Sequence, residues 1–225
     1  MERFWIVLGD IHERTAMLAK IPDLEQAEAV ILSGDLTNLG GKEAAERVVN
    51  LFARRSPRVL AQVGNMDTVQ VETVLEASQR NIHRRVLELA PDVGLAAVGY
   101  STPTPFGTPS EVDEATMARW ADEVLAQAGA KFRHVLFVAH TPPWNTVVDR
   151  LPSGVSVGSP GVRQAIAIYQ PEVVVVGHIH EARGEDWIGK SHILNPGDFG
   201  RGGYVRVVYT PQGLEGRLEY AGGQL

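Results

Sequence analysis

Val173-Val174-Val175-Val176-Gly177-His178-Ile179-His180 is an apolar run that stops at a glycine and then presents two imidazoles one residue apart. Four other stretches share the plan. Phe4-Trp5-Ile6-Val7-Leu8-Gly9 leads to Asp10 and His12, and Ala29-Val30-Ile31-Leu32-Ser33-Gly34 leads to Asp35. Val59-Leu60-Ala61-Gln62-Val63-Gly64 leads to Asn65, and Val135-Leu136-Phe137-Val138-Ala139 leads to His140. Such short aliphatic runs read as buried strands. In open α/β sheets the ligand crevice lies beyond the carboxyl ends of the strands, where these five donors or donor pairs would sit. In extended backbone alternate side chains share a face, so Asp10-x-His12 and His178-x-His180 would each aim two donors the same way.

The segments between the runs carry a helical period. Residues 42–55 place Ala45, Val48, Val49 and Phe52 on one face, and residues 68–79 do so with Val71, Val74 and Leu75. Residues 111–128 follow Ser110 with Asp113 three positions on, which resembles a capping box, and turn Met117, Trp120, Val124 and Ala128 inward. Ser159-Pro160 is a helix start that leads to Val162, Ile166 and Tyr169 on one side. Strand and helix therefore alternate through the first 180 residues, as in layered α/β architecture. The last third changes character. Runs at 191–195, 203–209 and 214–220 are short, Pro211-Gln212-Gly213 reads as a hairpin turn, and antiparallel strands are expected there. Proline-bearing loops are expected at 101–110 and 141–158, where they would shape substrate access. Residues 1–225 read as a single domain.

Composition excludes several classes. A net charge of -6 and a pI near 5.6 provide no basic stripe for a phosphodiester backbone, so long nucleic acid is a poor partner. The absence of cysteine excludes disulfides and thiolate metal sites. No run approaches the ~18 apolar residues of a membrane span. The first apolar run leads to a candidate ligand at position 10 rather than to a cleavage site, so the cytoplasm is the expected compartment.

Imidazole, carboxylate and amide oxygen together suit Mn, Fe, Zn, Ni or Co. Asp10, His12, Asp35, Asn65, His140, His178 and His180 are enough donors for two divalent ions, with Mn the first choice. Any one of the acids or the amide, taken alone, is equally a turn residue at a strand end. Five strand ends that each deliver a donor are not explained by turn chemistry.

The motifs Gly9-Asp10-Ile11-His12, Gly34-Asp35, Gly64-Asn65-Met66-Asp67, Ala139-His140 and Gly177-His178-Ile179-His180, in that order, resemble those of the calcineurin-like metallophosphoesterase superfamily. The resemblance implies a four-layer αββα sandwich with two mixed β-sheets and a dinuclear metal centre. It implies Asp10, His12, Asp35 and His180 around one ion, and Asp35, Asn65, His140 and His178 around the other, with Asp35 bridging. It further implies hydrolysis of a small phosphodiester or activated phosphomonoester by a hydroxide between the ions, with Asp35, Asn65 and His140 as the catalytic set and Asn65 also meeting substrate.

One position departs from that pattern. Met66 stands where many members of the superfamily carry a histidine thought to assist the leaving group, so the chain resembles a small prokaryotic, phosphodiesterase-like subgroup lacking that histidine. Methionine cannot donate a proton, which favours leaving groups that depart unaided. Asp67, without a histidine to orient, is expected to cap the helix beginning near Thr68. Arg14 is a candidate substrate contact, with a surface salt bridge as its other reading. His83, His134 and His192 lack motif neighbours and read as structural, although His83 or His192 could supply an acid by folding near the metals. Asn195-Pro196-Gly197-Asp198 resembles the turn that follows the last ligand motif in the subgroup, and either it or Arg201 could approach phosphate. Two other functions fit the same fold: a nuclease of the superfamily, and an inactive scaffold that binds protein. Intact donors at all seven positions speak against the second.

Overall fold

A computed structural model describes residues 2–223. The elements run β1 (Arg3–Leu8), β2 (Ala29–Leu32), α1 (Lys42–Ala53), β3 (Val59–Ala61), α2 (Val69–Ala77), β4 (Arg85–Ala90), β5 (Val93–Val98) and α3 (Glu114–Lys131). They continue with β6 (His134–Ala139), α4 (Pro160–Tyr169), β7 (Val173–Val175), β8 (Gly184–Ile188), β9 (Ser191–Asn195), β10 (Gly203–Thr210) and β11 (Gly213–Tyr220). A five-stranded sheet has the order β11-β10-β1-β2-β3, and a six-stranded sheet has β4-β5-β6-β7-β9-β8. Both are mixed. β1, β2 and β3 run parallel beside the antiparallel β10 and β11. β5, β6, β7 and β9 run parallel between the antiparallel edges β4 and β8.

The side-chain period of a strand explains the four layers. Along β1, Trp5 and Val7 pack between the sheets with Leu136, Val138, Val173 and Val175. Phe4, Ile6 and Leu8 face the other way, onto Val48 and Phe52 of α1 and Val71 and Leu75 of α2. On the second sheet, Phe137 and Val174 meet Met117, Val124 and Leu125 of α3 and Val162 and Ile166 of α4. A strand buried on both faces gains nothing from polar alternation, which is why the sequence shows continuous apolar runs. The architecture is α/β, a four-layer αββα sandwich as expected.

Several local expectations change. The helix expected from 111 starts at Glu114, and Asp113 caps it by accepting from Thr116 N at 2.8 Å, while the Ser110 hydroxyl donates to Asp67 O at 2.6 Å. The β4–β5 hairpin has no clear signature in the sequence. Gly94 and three alanines weaken its strand pattern, and a Cβ at Gly94 would lie 2.2 Å from the Phe132 ring. The 141–158 loop is organised about the buried Asp149, which accepts from Asn145 N, Thr146 N and Gly158 N at 2.9–3.0 Å. The turn at Pro211-Gln212 joins β10 and β11 as expected. Among the described residues, no helix is long and apolar enough to cross a membrane.

His83 belongs to the packing of the second sheet. Its Nδ1 accepts from Gly99 N at 3.0 Å, and its ring lies 4.8 Å from Tyr100 and 4.9 Å from Trp120. Burial, helped by the Arg84 charge, holds its pKa down at about 4. The native state therefore keeps His83 neutral while the unfolded chain protonates it near 6.5, so this contribution is present above pH 6.5 and is lost as pH falls towards 4. Replacing His83 by Asn, whose Oδ1 can accept the Gly99 bond, is expected to flatten that loss by about one proton's worth, ~1.4 kcal/mol per pH unit. Urea denaturation across the window measures it, and an unchanged slope sinks the assignment.

Candidate metal centre

The seven donors converge through turns at the strand ends. Asp10, His12, Asp35 and His178 have φ of 52°, 46°, 50° and 68°, so the backbone bearing them is left-handed rather than extended. The expected sharing of a face by alternate extended residues is therefore not how Asp10 and His12, or His178 and His180, come together. Non-glycine residues in this region cost on the order of 1 kcal/mol or more each, and such strain concentrates at functional sites. Hydrogen bonds hold the first two loops in step: Asp10 N donates to Gly34 O at 3.0 Å, and Ile11 N and His12 N to Asp35 O at 2.8 and 2.9 Å.

The glycines before the donors permit close approach. A Cβ on Gly64 would lie 2.2 Å from Asp35 Oδ1 and 2.6 Å from His140 Cε1. One on Gly34, whose φ is 120°, would lie 2.6 Å from His140 Nδ1. Any side chain at either position displaces a donor.

Asp10, His12, Asp35 and His180 bring one ligand atom each to within 4.8 Å of one another. His12 Nε2 is 3.2 Å from His180 Nε2, and His180 Nε2 is 3.1 Å from Asp10 Oδ1. On the other side, Asn65 Oδ1 lies 2.7 Å from His178 Nδ1 and 3.0 Å from His140 Nε2. Asp35 Oδ2 stands between the groups, 3.7 Å from His12 Nε2 and 3.6 Å from His140 Nε2. Donors each ~2.1 Å from one ion sit about 3.0–3.4 Å from one another, so the spacing suits divalent cations. Two imidazole nitrogens in contact share at most one proton, which leaves a lone pair for a metal.

His140 Nδ1 lies 3.2 Å from Ser33 O, which fits a donated N–H and leaves Nε2 as the free donor atom. Burial opposes charge on this ring, but Asp35, Asp10 and Asp67 outweigh it and raise it to about 9. Burial and the neighbouring His140 hold His178 down at about 4. Burial also pushes Asp10 up, but the His180 hydrogen bond and the surrounding histidines hold it well below the carboxylate range. The carboxylates draw positive charge into the cluster.

Three buried or half-buried side chains stand behind the donors, and of these only Asn195 lies in a motif legible in the sequence. Gln62 Nε2 lies 3.3 Å from Ser33 O, 3.1 Å from Val98 O and 3.4 Å from Val138 O, bridging both sheets beneath the site. A lone amide inside the run 59–63 is the available signal. Asn195 Nδ2 donates to Ile179 O at 2.9 Å and steadies the loop carrying His178 and His180. Thr108 accepts from Asn65 Nδ2 at 3.0 Å.

Asp67 does not cap α2. Its carboxylate accepts from Leu36 N, Thr37 N, Thr37 Oγ1 and Gly64 N at 2.8–3.0 Å, tying the Asp35 loop to the Asn65 loop. Thr68 occupies the cap position, but its hydroxyl donates to Gly40 O at 3.0 Å rather than capping the helix. Burial and the Asp35 charge push the Asp67 carboxyl up against those hydrogen bonds. Arg14 is paired with the buried Asp198 at 2.8 Å, the salt-bridge reading, and Arg201 lies 4.0 Å from the same carboxylate. Gly197 N donates to Asn195 Oδ1 at 2.8 Å in a tight turn. His192 pairs with Glu185 at 3.0 Å and stacks on Trp187, and His134 lies 2.9 Å from Glu172. Recesses of about 610 and 370 Å³ lie between α1 and α2 and beside edge strand β3, and no donor of the cluster lines either. Convergence of donors, not concavity, marks this site.

A family model described as calcineurin-like phosphoesterase matches residues 6–182. MJ1162 of Methanocaldococcus jannaschii, an uncharacterized protein, is 31% identical over 175 residues, which are 76% of this chain and 77% of that protein. TT1561 of Thermus thermophilus has a TM-score of 0.70 at 17% identity over 96% of this chain and 99% of its own. A dimetal phosphatase from Danio rerio has a TM-score of 0.61 at 12% identity over 97% and 99%. These two structures share the fold, whereas the family match runs through all five strand-end motifs. The chain belongs to the calcineurin-like phosphoesterase family, and it is a phosphoric ester hydrolase of the metal-dependent kind.

Proposed function

We propose that the chain hydrolyses a small phosphodiester or an activated phosphomonoester, with Asp10, His12, Asp35 and His180 holding one divalent ion and Asp35, Asn65, His140 and His178 the other. The observation that carries this is Asp35 Oδ2, 3.7 Å from His12 Nε2 and 3.6 Å from His140 Nε2, a single carboxylate oxygen common to both donor groups. Two bound cations supply an acidified water and a clamp on phosphoryl oxygens. Asp10 and Asp35 neutralise half of the two dications' charge, so an anionic ester is drawn to the site although the chain as a whole is acidic. His140, fixed by Ser33 O, keeps Nε2 directed at the shared region. Manganese is the first choice for this role, and the mixed nitrogen-and-oxygen donor set is equally compatible with Fe, Zn, Ni and Co.

Met66 sets the substrate preference. Its N–H donates to Asp35 Oδ1 at 2.8 Å, so the residue lies beside the shared carboxylate, yet its thioether has no proton to give. Aryl and anhydride leaving groups are therefore expected to exceed alkyl ones.

Protein supplied with Mn²⁺ is expected to carry two ions, and less than one transition ion per correctly folded chain, read by elemental analysis, overturns the proposal. Asp35→Asn is expected to lower both occupancy and hydrolysis of an aryl phosphodiester, turnover by about 100-fold or more by analogy with loss of a key catalytic group; full activity would remove its bridging role. Met66→His is expected to raise turnover of an alkyl diester relative to an aryl one by at least ~10-fold, within the range of general acid catalysis. Equal effects on both esters would refute the leaving-group argument.

A further inference from the structure

Segment 101–110 reaches the metal centre through a chain of side chains that all donate in one direction. Asn65 Nδ2 donates to Thr108 Oγ1 at 3.0 Å, and Thr108 Oγ1 donates to Glu111 Oε1 at 2.5 Å. The same Glu111 oxygen accepts from Thr108 N and from Thr104 Oγ1, each at 2.7 Å. Two further bonds close the loop onto the Asn65 segment: Ser110 N donates to Asn65 O at 3.1 Å, and Ser110 Oγ to Asp67 O at 2.6 Å.

We propose that Thr108, backed by Glu111, is a positioning residue that fixes which way the Asn65 amide faces and so makes the 101–110 loop part of the metal centre. That Asn65 holds a metal rests on the function proposed above; that Thr108 orients it does not.

The polarity of the relay carries the argument. A threonine hydroxyl has one proton and two lone pairs. Burial pushes the Glu111 carboxyl up, but the Thr104 and Thr108 hydrogen bonds outweigh it and hold it below its usual range, so it accepts only. The Thr108 proton is thereby committed to Glu111, and what remains facing Asn65 is an acceptor. Only the NH₂ end of the amide can meet it. Oδ1 is then turned to His178 Nδ1 and His140 Nε2, at 2.7 and 3.0 Å. A flipped amide would set Oδ1 against a hydroxyl oxygen without a proton and aim NH₂ at the ring nitrogens and any cation there. Among the described residues, Thr108 Oγ1 is the acceptor recorded for the Asn65 NH₂.

Partners behind metal ligands are worth about 10- to 100-fold in affinity when removed. Thr108→Val keeps the shape and removes the hydroxyl, whereas Thr108→Ser restores it. In metal-free full-length protein, side-chain ¹⁵N–¹H spectra are expected to show a slowly exchanging Asn65 amide pair in the parent and in Thr108→Ser, and its loss in Thr108→Val. Calorimetric titration with Mn²⁺ is expected to show the second ion weakened about 10-fold or more in Thr108→Val, with the first changed less than about 2-fold and Thr108→Ser near the parent. KM for an aryl phosphodiester is expected to rise with the weakened ion. A protected Asn65 amide in Thr108→Val, or equal damage from Val and Ser, overturns the proposal. A parent protein that binds no metal overturns the proposed function instead, and the amide spectra still decide the role of Thr108.

Discussion

The Asp35 carboxylate faces imidazoles from both sheets through a single oxygen, and the surrounding structure is organised to keep it there. Its Oδ2 faces His12 and His140 at 3.7 and 3.6 Å, and its Oδ1 accepts the Met66 N–H at 2.8 Å. Gathering ionisable groups in a buried space is unfavourable unless each is paired or ligates a cation. Here the imidazoles partly balance Asp10 and Asp35, and Asp67, also buried, is met by four donors from the neighbouring loops.

The sandwich makes that gathering rigid. The first sheet brings Asp10, His12, Asp35 and Asn65, and the second brings His140, His178 and His180, so the site exists only where the carboxyl ends of the strands of the two stacked sheets lie side by side. The shared apolar layer around Trp5, Leu136 and Val175 holds the sheets together, and Gln62 adds amide contacts to main-chain oxygens in both. Left-handed turns at Asp10, Asp35 and His178 then direct the side chains into a common space. A packed core can hold such strained turns because it yields little to local relaxation.

Much of this was legible in residue order. Period-two burial on both strand faces produces uninterrupted aliphatic runs, and a polar side chain after each run marks a strand end, so layered α/β architecture and seven candidate donors follow from pattern, while the four-layer arrangement and the grouping of the candidates came from the resemblance of the motifs. Less was legible where a residue's partner lies far along the chain. Asp67 looks like a helix cap because aspartate before a helix usually is one, yet its partners are 30 and 31 residues away at Thr37 and Leu36. Ser110 and Asp113 resembled a capping pair, but folding returns Ser110 to Asp67 and leaves Asp113 as the cap. The hairpin at 85–98 hid because alanine and glycine pack it against α3 and Phe132 without announcing a strand.

The amino-acid order by itself determined the class of fold, the seven candidate donors at the strand ends and the lack of an ionisable proton at Met66, since hydrophobic period and side-chain chemistry are properties of single positions and their neighbours. The tertiary structure alone set the distances from Asp35 to His12 and His140, tied Arg14 to Asp198, and put Thr108 and Glu111 behind Asn65. Those are distances between residues remote in the chain, and they are set only when the two sheets pack and their loops turn into the same space.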